Sequence, residues 1–476
     1  FTKDTEIGFG THDEVTPQFS YAGVNIVAAK EGENASKVTI NAPDNLVSIT
    51  GSSESKQMAG INLLWVPYRE KDDTGSWVKK DGTGRDIEIN AKKLSISGST
   101  EGRFDGVYIK NDTSDTSKAL NFAVNADTDI HVDAQNNAEG FYAWGNSTIN
   151  VNKNLAITVD GHNGGWENLG ASGIYLSGKM GTTLLLAPHM TVAGDLSVNG
   201  NANGIWVNTG GAEFTAKGNV AIKQSSPELL EKPYYALGAQ LGKISINYKS
   251  NAYGMPYTTY ADKVVQIQGN IATDRSADNS MWEKDTIDQA ARNSIINLGL
   301  GTADSTWEGV AFKSADASKE AKGYHDEINL ILNNGATWTN KQWGPLHTSS
   351  GSYNMGSFDG STLNQFTGGS DKTTQGIIIQ QDEKPITINE YRGNTLVLYK
   401  HETDTPTNMI GGDFVVKQVD KINSNRNNSA ITLRTDSEGI TLSDEVQVKN
   451  VLNALAGKLV YSNYITGERN LDGMAE

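Results

Sequence analysis

Short stretches in which apolar and polar residues alternate occupy most of the chain, and no helical pattern dominates it. Residues 140–143 (GFYA), 148–151 (TINV) and 155–159 (LAITV) follow one another with Asn, Gly and Asp between them. Because successive side chains of a strand point to opposite faces, each stretch predicts a half-buried strand. The intervening residues predict turns.

These strands recur with a long period, marked by a glycine that precedes an aromatic residue by two positions. The glycines lie 34, 33 and 31 residues apart (140−106, 173−140 and 204−173), at Gly106, Gly140, Gly173 and Gly204. Such a period indicates stacked copies of one supersecondary unit, here with three strands per copy. A β-sandwich also has short strands, but it lacks a fixed period. The sequence therefore predicts an all-β fold, a right-handed parallel β-helix (solenoid) with loop insertions.

The aromatic residues of the repeat predict a ligand-binding surface. If the apolar neighbours of each aromatic face the core, the aromatics face outward, one above another. We call this set the aromatic strip: Tyr108, Tyr142, Tyr175 and Trp206. Trp144 lies in the same stretch. Exposed Tyr and Trp suit sugar stacking or protein contact, whereas the alternative is a structural stack whose rings a neighbouring loop could also cover.

The period is interrupted near residues 64–86, 225–260 and 274–293, which predicts three insertions in a β-helix spanning 1–300. The first insertion contains Trp65, Tyr68 and Trp77, which form a second candidate binding site. Insertions in solenoids are often on the binding face. The alternative for this one is a loop that folds over the amino-terminal coils.

Composition narrows the function classes. The 476 residues carry a formal charge of −16 and include no cysteine. The charge argues against nucleic acid and anionic membranes as partners, since these require clusters of Lys and Arg. The lack of cysteine excludes disulfides and zinc–thiolate sites. No apolar stretch approaches the length that spans a bilayer, so we expect no insertion into a membrane.

One carboxylate cluster raises the question of catalysis or calcium binding. Asp127, Asp129, His131 and Asp133 alternate with apolar residues and could share one outer face. A solvated face of an acidic protein is the simpler explanation of the cluster, and we favour it. The chain contains neither a His-Glu-x-x-His nor a Gly-x-Ser-x-Gly motif. We therefore predict no enzymatic activity, no catalytic residues, no metal and no cofactor.

The region from about 305 to 475 carries a family resemblance. Residues 307–310 (WEGV), an alternating strand at 328–332 and residues 334–338 (NGATW) resemble the carboxy-terminal passenger region of type V autotransporters, in the pertactin-like β-helix group. Residues 412–414 (GDF) and the tail at 453–459 (NALAGKL) resemble passengers of diderm Firmicutes in particular. Residues 1–300 match that group in architecture only.

The resemblance implies a signal peptide before Phe1, an outer-membrane barrel after Glu476, and autochaperone-like coils over 301–476. The residues agree with the last point, since Trp307, Trp338 and Trp343 offer large surfaces that could cap an open end. It also implies a bacterial cell-surface adhesin that binds glycan or protein on host or bacterial surfaces. Two alternatives remain at this level. One is a self-associating passenger that drives aggregation and biofilm, and the other is a β-helix enzyme that degrades polysaccharide.

Overall fold

Strands dominate the computed structural model of the chain, and nearly all of them join one parallel sheet. The structure describes residues 3–9, 21–27, 37–54, 57–65, 68–80, 86–113, 115–162, 171–179, 186–230, 233–249, 258–273, 293–314, 325–346, 357–419 and 429–461.

The first half of the strands are β1 (Thr5–Phe9), β2 (Tyr21–Val27), β3 (Val38–Ser53), β4 (Met58–Trp65), β5 (Tyr68–Lys71), β6 (Trp77–Lys80), β7 (Ile87–Thr100), β8 (Arg103–Asn111), β9 (Leu120–Ala134), β10 (Asn137–Gly145), β11 (Ser147–Val151), β12 (Leu155–Gly161), β13 (Ala171–Ser177), β14 (Pro188–Val192), β15 (Leu196–Asn201), β16 (Asn203–Ala216) and β17 (Val220–Gln224). The second half are β18 (Leu237–Ile246), β19 (Val265–Gln268), β20 (Ile271–Thr273), β21 (Asn293–Leu300), β22 (Thr306–Glu308), β23 (Ala311–Lys313), β24 (His325–Leu332), β25 (Thr337–Asn340), β26 (Ser361–Thr367), β27 (Gly376–Gln380), β28 (Ile386–Arg392), β29 (Asn394–Glu402), β30 (Thr405–Ile410), β31 (Phe414–Val416), β32 (Ala430–Thr435) and β33 (Leu459–Tyr461). A 3₁₀ turn spans Pro227–Leu229, and one α-helix, α1, spans Glu445–Ala456.

Parallel pairing sorts these strands into three ladders, which we call walls A, B and C. Wall A contains β2, β4, β8, β10, β13, β16, β18, β20 and β23, and further on β26, β28, β31 and β33. Wall B contains β3, β7, β9, β11, β14, β16, β18, β21, β24, β26 and β28. Wall C contains β1, β3, β7, β9, β12, β15, β17, β19, β22, β25, β27, β29 and β32. The long strands pass through two walls each, with register shifts inside β3, β7 and β16.

The walls recur in the order A, B, C along the chain, and we call each strand position within a wall a rung. Tyr108 pairs with Tyr142, Tyr142 with Tyr175, and Tyr175 with Trp206, so the register repeats at the period read from the sequence. The fold is therefore all-β with a long parallel sheet, which is compatible with the predicted β-helix.

One apolar cluster runs between the walls from Ala42 to Leu455. In wall C its inward column begins with isoleucines such as Ile96, Ile130 and Ile157, which pair rung upon rung. Burying one such side chain stabilises the fold by roughly 1.5–3 kcal/mol. The alternating burial of these strands is the pattern that the sequence predicts.

Two tryptophans replace isoleucine further along the same column. Trp307 and Trp338 stack with ring centroids 4.7 Å apart, and their indole N–H groups donate to the carbonyl oxygens of Gly269 and Gly309. Wall C continues beyond them through β27, β29 and β32. The prediction that tryptophans cap an open end is therefore wrong for this pair, because further rungs cover it.

The carboxy-terminal end of the described sheet is covered by helix α1 instead. Asp444 caps this helix by accepting hydrogen bonds from the backbone N–H groups of Val446 and Gln447. Val451 and Leu455 face the core. In the part of the chain that the structure describes, no helix is long and apolar enough to cross a membrane.

The turns between walls B and C are fastened by a ladder of side chains. The side-chain oxygen of Asp127 accepts from the backbone N–H of Asn154, and Asn154 in turn accepts from Asp195 at 2.9 Å. Asp195 accepts from Asn219, and Asn219 accepts from Val264, both at 2.9 Å. Each turn is thus tied to the next rung by a short polar side chain, as Asx residues do in turns.

The three predicted insertions differ in what the structure shows of them. Residues 64–86 include an antiparallel hairpin, β5–β6, outside the main sheet. Within 225–260, strand β18 belongs to walls A and B, so the irregular residues lie on either side of it. Residues 274–292 of the third insertion are outside the described residues.

Candidate functional site

The glycine of the repeated motif is required by the close approach of neighbouring rungs. A Cβ on Gly140 would lie 2.5 Å from the carbonyl oxygen of Gly173 and would also meet Ile157. Equivalent contacts exist at Gly106 and at Gly173 itself. A side chain at these positions would therefore push two backbones apart.

The aromatic strip lies on the outer side of wall A and is stacked, as predicted. The ring centroids of Tyr108 and Tyr142 are 4.9 Å apart, and those of Tyr142 and Tyr175 are 5.3 Å apart. Trp206 continues the register and contacts Tyr235, with centroids 6.1 Å apart. Parallel offset rings of this kind contribute about 0.5–1.5 kcal/mol per pair.

The prediction that this strip is an exposed surface is wrong for three of its four residues. Tyr108 is 6 % exposed, Tyr175 is 7 % exposed and Trp206 is 1 % exposed, whereas Tyr142 is half-buried. A second apolar cluster covers the wall here, with Tyr175 and Trp206 joined by Tyr235, Ala272, Val310, Phe312 and Phe358. The aromatic strip is therefore mainly a structural stack beneath other parts of the chain.

A buried ion pair lies beside the strip. Arg103 donates to both carboxylate oxygens of Asp105, at 2.9 and 3.1 Å, and its guanidinium lies 4.7 Å from the ring centroid of Tyr142. Glu139 is next to Asp105 in the register, and one of its oxygens is 3.6 Å from Arg103. Burial raises the pKa of Glu139 well above its usual value, although the charge of Arg103 acts in the opposite direction.

The remaining aromatic candidates are not brought together. Trp65 is buried in the core, so its prediction as a binding residue is wrong. Trp144 is half-buried under the ammonium group of Lys110, which lies 5.3 Å from its ring centroid. Tyr68 and Trp77 lie on the β5–β6 hairpin, where Trp77 is 65 % exposed. Of the predicted aromatics whose side chains are described, Trp77 is the most accessible.

The carboxylate cluster lies as the alternation predicts. Asp129, His131 and Asp133 point outward from β9 in wall C, and Asp127 lies at the preceding turn. The imidazole of His162 is 2.8 Å from a carboxylate oxygen of Asp133. Among the described residues, no group of three or more His, Asp or Glu side chains is arranged to hold a metal ion.

Part of this cluster opens onto a groove of about 600 Å³ that crosses wall C. The groove spans five rungs, from β9 through β12, β15 and β17 to β19. One bank is the ladder of turn residues described above. The other bank and the floor are formed by the first outward-facing position of each strand, which in register are Asp129, Ala156, Ser197, Ala221 and Gln266.

The groove exists because this outward column becomes small in its middle. Ala156, Ser197 and Ala221 leave a depression between the larger Asp129 and Gln266. Four rung spacings of about 4.8 Å give the groove a length of roughly 19 Å. Its lining combines carboxylate, amide and hydroxyl groups with apolar atoms of Leu155, Leu196 and Val220.

Sequence reasoning identified Asp127 and Asp129 but missed the rest of this surface. The Asn or Asp immediately before β12, β15 and β17 was a usable signal for the turn ladder. The alanines on the floor carry no such signal, since their alignment depends on register between strands 24 to 45 residues apart (220−196 and 265−220).

No protein-family model matches this chain, and no curated protein or solved structure is similar enough to count as a match.

Proposed function

We propose that the protein is a bacterial surface adhesin of the autotransporter passenger type, built as a right-handed parallel β-helix. The recurrence of walls A, B and C at a period of 31–34 residues supports the helix, because three parallel ladders visited in turn describe a triangular coil. The carboxy-terminal motifs support the passenger assignment. In this proposal an outer-membrane barrel outside the present chain anchors the protein at the cell surface.

The groove across wall C is the observation that carries the proposed ligand site. It is about as long as a short oligosaccharide, and its floor is formed by strands. Carboxylate, amide and hydroxyl groups can exchange hydrogen bonds with sugar hydroxyls, and the apolar floor can contact the C–H faces of the rings. A glycan on a host or bacterial surface therefore fits this groove better than it fits the covered aromatic strip.

Cell attachment does not require tight binding at one such groove. Many copies on one cell face many glycans on another, so each bond after the first forms at a high effective concentration. Weak single-site affinity is then sufficient for stable adhesion.

The experiment that tests this site introduces bulky side chains on the floor of the groove. Ala156→Tyr and Ala221→Tyr place rings in the depression, and both positions face outward, so the core is unchanged. Thr337→Tyr is the matched control, because Thr337 lies in the same outward column two rungs beyond Gln266. We expect the filled variants to lose binding on a glycan array and on cells, while the control binds as the wild type does.

Equal binding by all three variants and the wild type would remove the groove as the ligand site. Far-UV circular dichroism and a melt of each variant establish that the comparison is between folded proteins. A loss of binding by Thr337→Tyr as well would indicate a surface wider than the groove.

Self-association is a second candidate, favoured by the amino-terminal part of wall C. There the outward positions carry short hydroxyl side chains on paired rungs, Ser48 with Ser95 and Thr50 with Ser97. A flat polar face of this kind could hydrogen-bond a second copy. Sedimentation at rising concentration tests this candidate, since a strictly monomeric protein at high concentration would contradict it.

A further inference from the structure

The groove across wall C is bridged at both ends by side chains that cross from one bank to the other. At one end the ammonium group of Lys93 forms an ion pair with the carboxylate of Asp129. Lys93 belongs to the turn bank, where it pairs with Asp127, whereas Asp129 belongs to the outward column. The hydrogen bond and charge of Asp129 raise the pKa of Lys93.

At the other end of the groove, a side chain of the outward column likewise reaches the bank of turn residues. The side-chain amide of Gln266 donates to the carbonyl oxygen of Asp304, at 3.3 Å. Gln266 is in the outward column, and Asp304 lies at the turn of the next rung, immediately before Ser305, whose hydroxyl accepts from Val265. The space between these two bridges is the groove.

Outside both bridges the outward column is small again. Before Asp129 it continues with Ser95 and Ser48, and after Gln266 it continues with Thr306 and Thr337. The wall itself would therefore allow a longer groove, and the two bridges end it.

We infer that the Lys93–Asp129 and Gln266–Asp304 bridges set the length of the ligand, so that the groove takes an oligosaccharide or a chain terminus of about four sugar units, one per rung spacing. This inference rests on the proposed function. It assigns Lys93, Asp129 and Gln266 a role in specificity beyond the contacts made by the small residues between them.

The bridges are suitable for mutation because little of the fold depends on them. Lys93 and Asp129 are each about half-exposed, and an exposed ion pair contributes little to stability. Lys93→Ala with Asp129→Ser opens one end toward Ser95 and Ser48. Gln266→Ser opens the other end toward Thr306 and Thr337.

The test measures affinity against ligand length. The probes are β-1,4-linked oligomers of glucose and of N-acetylglucosamine, from the disaccharide to the octasaccharide, titrated by calorimetry. For the wild type we expect affinity to rise with each unit and then to stop rising at about four units. For either opened variant we expect the rise to continue for about two further units, because two further rungs become available. Each added unit that gains one net hydrogen bond should strengthen binding about two- to tenfold.

The outcomes separate the two proposals. If oligomers bind, Ala156→Tyr abolishes that binding, and the opened variants stop at the same length as the wild type, the bridges do not set ligand length and the groove remains the site. If the wild type binds no oligomer of either series, or if Ala156→Tyr binds as the wild type does, the glycan groove and the length limit both fail.

Discussion

Replacing Trp206 tests whether the aromatic strip is structural. The side chain is 1 % exposed and packs in the second apolar cluster, and its ring occupies the space where a Cβ on Gly238 of the next rung would lie. Truncating a buried Trp to Ala typically costs about 3–5 kcal/mol. The cost for Trp206 should be smaller than this, because its indole Nε1 has no hydrogen-bond partner within the described residues.

With no partner among the residues that the structure describes, this buried donor lowers the stability of the wild type by about 1–3 kcal/mol. Removing it offsets part of the cavity cost. Subtracting the middle of the second range (about 2 kcal/mol) from the middle of the first (about 4 kcal/mol), we expect Trp206→Ala to lose about 2 kcal/mol. Trp206→Phe keeps most of the ring and also removes the N–H group, and it should stay within about 1.5 kcal/mol of the wild type. Trp77→Ala is the control, since an exposed side chain of the hairpin should change stability by no more than about 0.5 kcal/mol.

The assay must resolve local stability, because a chain of this length need not unfold in one step. Hydrogen exchange followed by mass spectrometry, on peptides that cover β13, β16 and β18, reports the opening free energy of these rungs. If Trp206→Ala and Trp77→Ala both leave exchange unchanged, the burial described for the strip is wrong. In that case the strip returns as a candidate binding surface.

Three further predictions follow from single contacts. Gly140→Ala should destabilise the neighbouring rungs by at least about 1–3 kcal/mol, because the new Cβ would meet the carbonyl oxygen of Gly173. A variant that melts at the same temperature as the wild type would contradict this prediction. The pKa of Glu139 is raised in the folded protein, so the folded protein keeps a proton that the unfolded chain releases above the ordinary pKa of 4.5. The stability contributed by this protonated group should therefore be fully present below pH 4.5 and should fall as pH rises toward the folded pKa. Glu139→Gln should flatten that decline in melts taken from pH 4.5 upward, and parallel curves for both proteins would refute it. Asp444→Ala should cost helix α1 about 0.5–2 kcal/mol, seen as faster amide exchange over Glu445–Ala456 with the walls unaffected.

The sequence predicted which face of a strand each side chain occupies, but it did not predict which distant parts of the chain cover that face. Alternation was enough to place Val107 and Ile109 inward and Tyr108 outward, because the period of a strand is two residues. Burial of the strip was not predictable in this way. Phe358, which covers it, follows Tyr175 by 183 residues (358−175), and no local pattern connects the two positions.

The candidate site was even less accessible to sequence reasoning. Its floor depends on aligning Ala156, Ser197 and Ala221 across unequal turns, and its end depends on Lys93 reaching one rung forward to Asp129. An alanine on a strand and a lysine in a turn are ordinary at each position. Their significance appears only once the register is known.

The direction of the sheet hydrogen bonds has a mechanical consequence for a protein held at both ends. In every wall these bonds connect one rung to the next, so a pull along the stack loads them in tension along their own direction. Bonds loaded in this way open one rung after another rather than shearing together. Each repeat of 31–34 residues, which supplies one rung to each wall, would release roughly 100–120 Å of chain, at about 3.3–3.6 Å per residue. In the proposed adhesive role, a protein of this kind would lengthen in steps under flow and limit the load on its ligand. A single-molecule extension trace with regular steps would show this behaviour, and one abrupt rupture would exclude it.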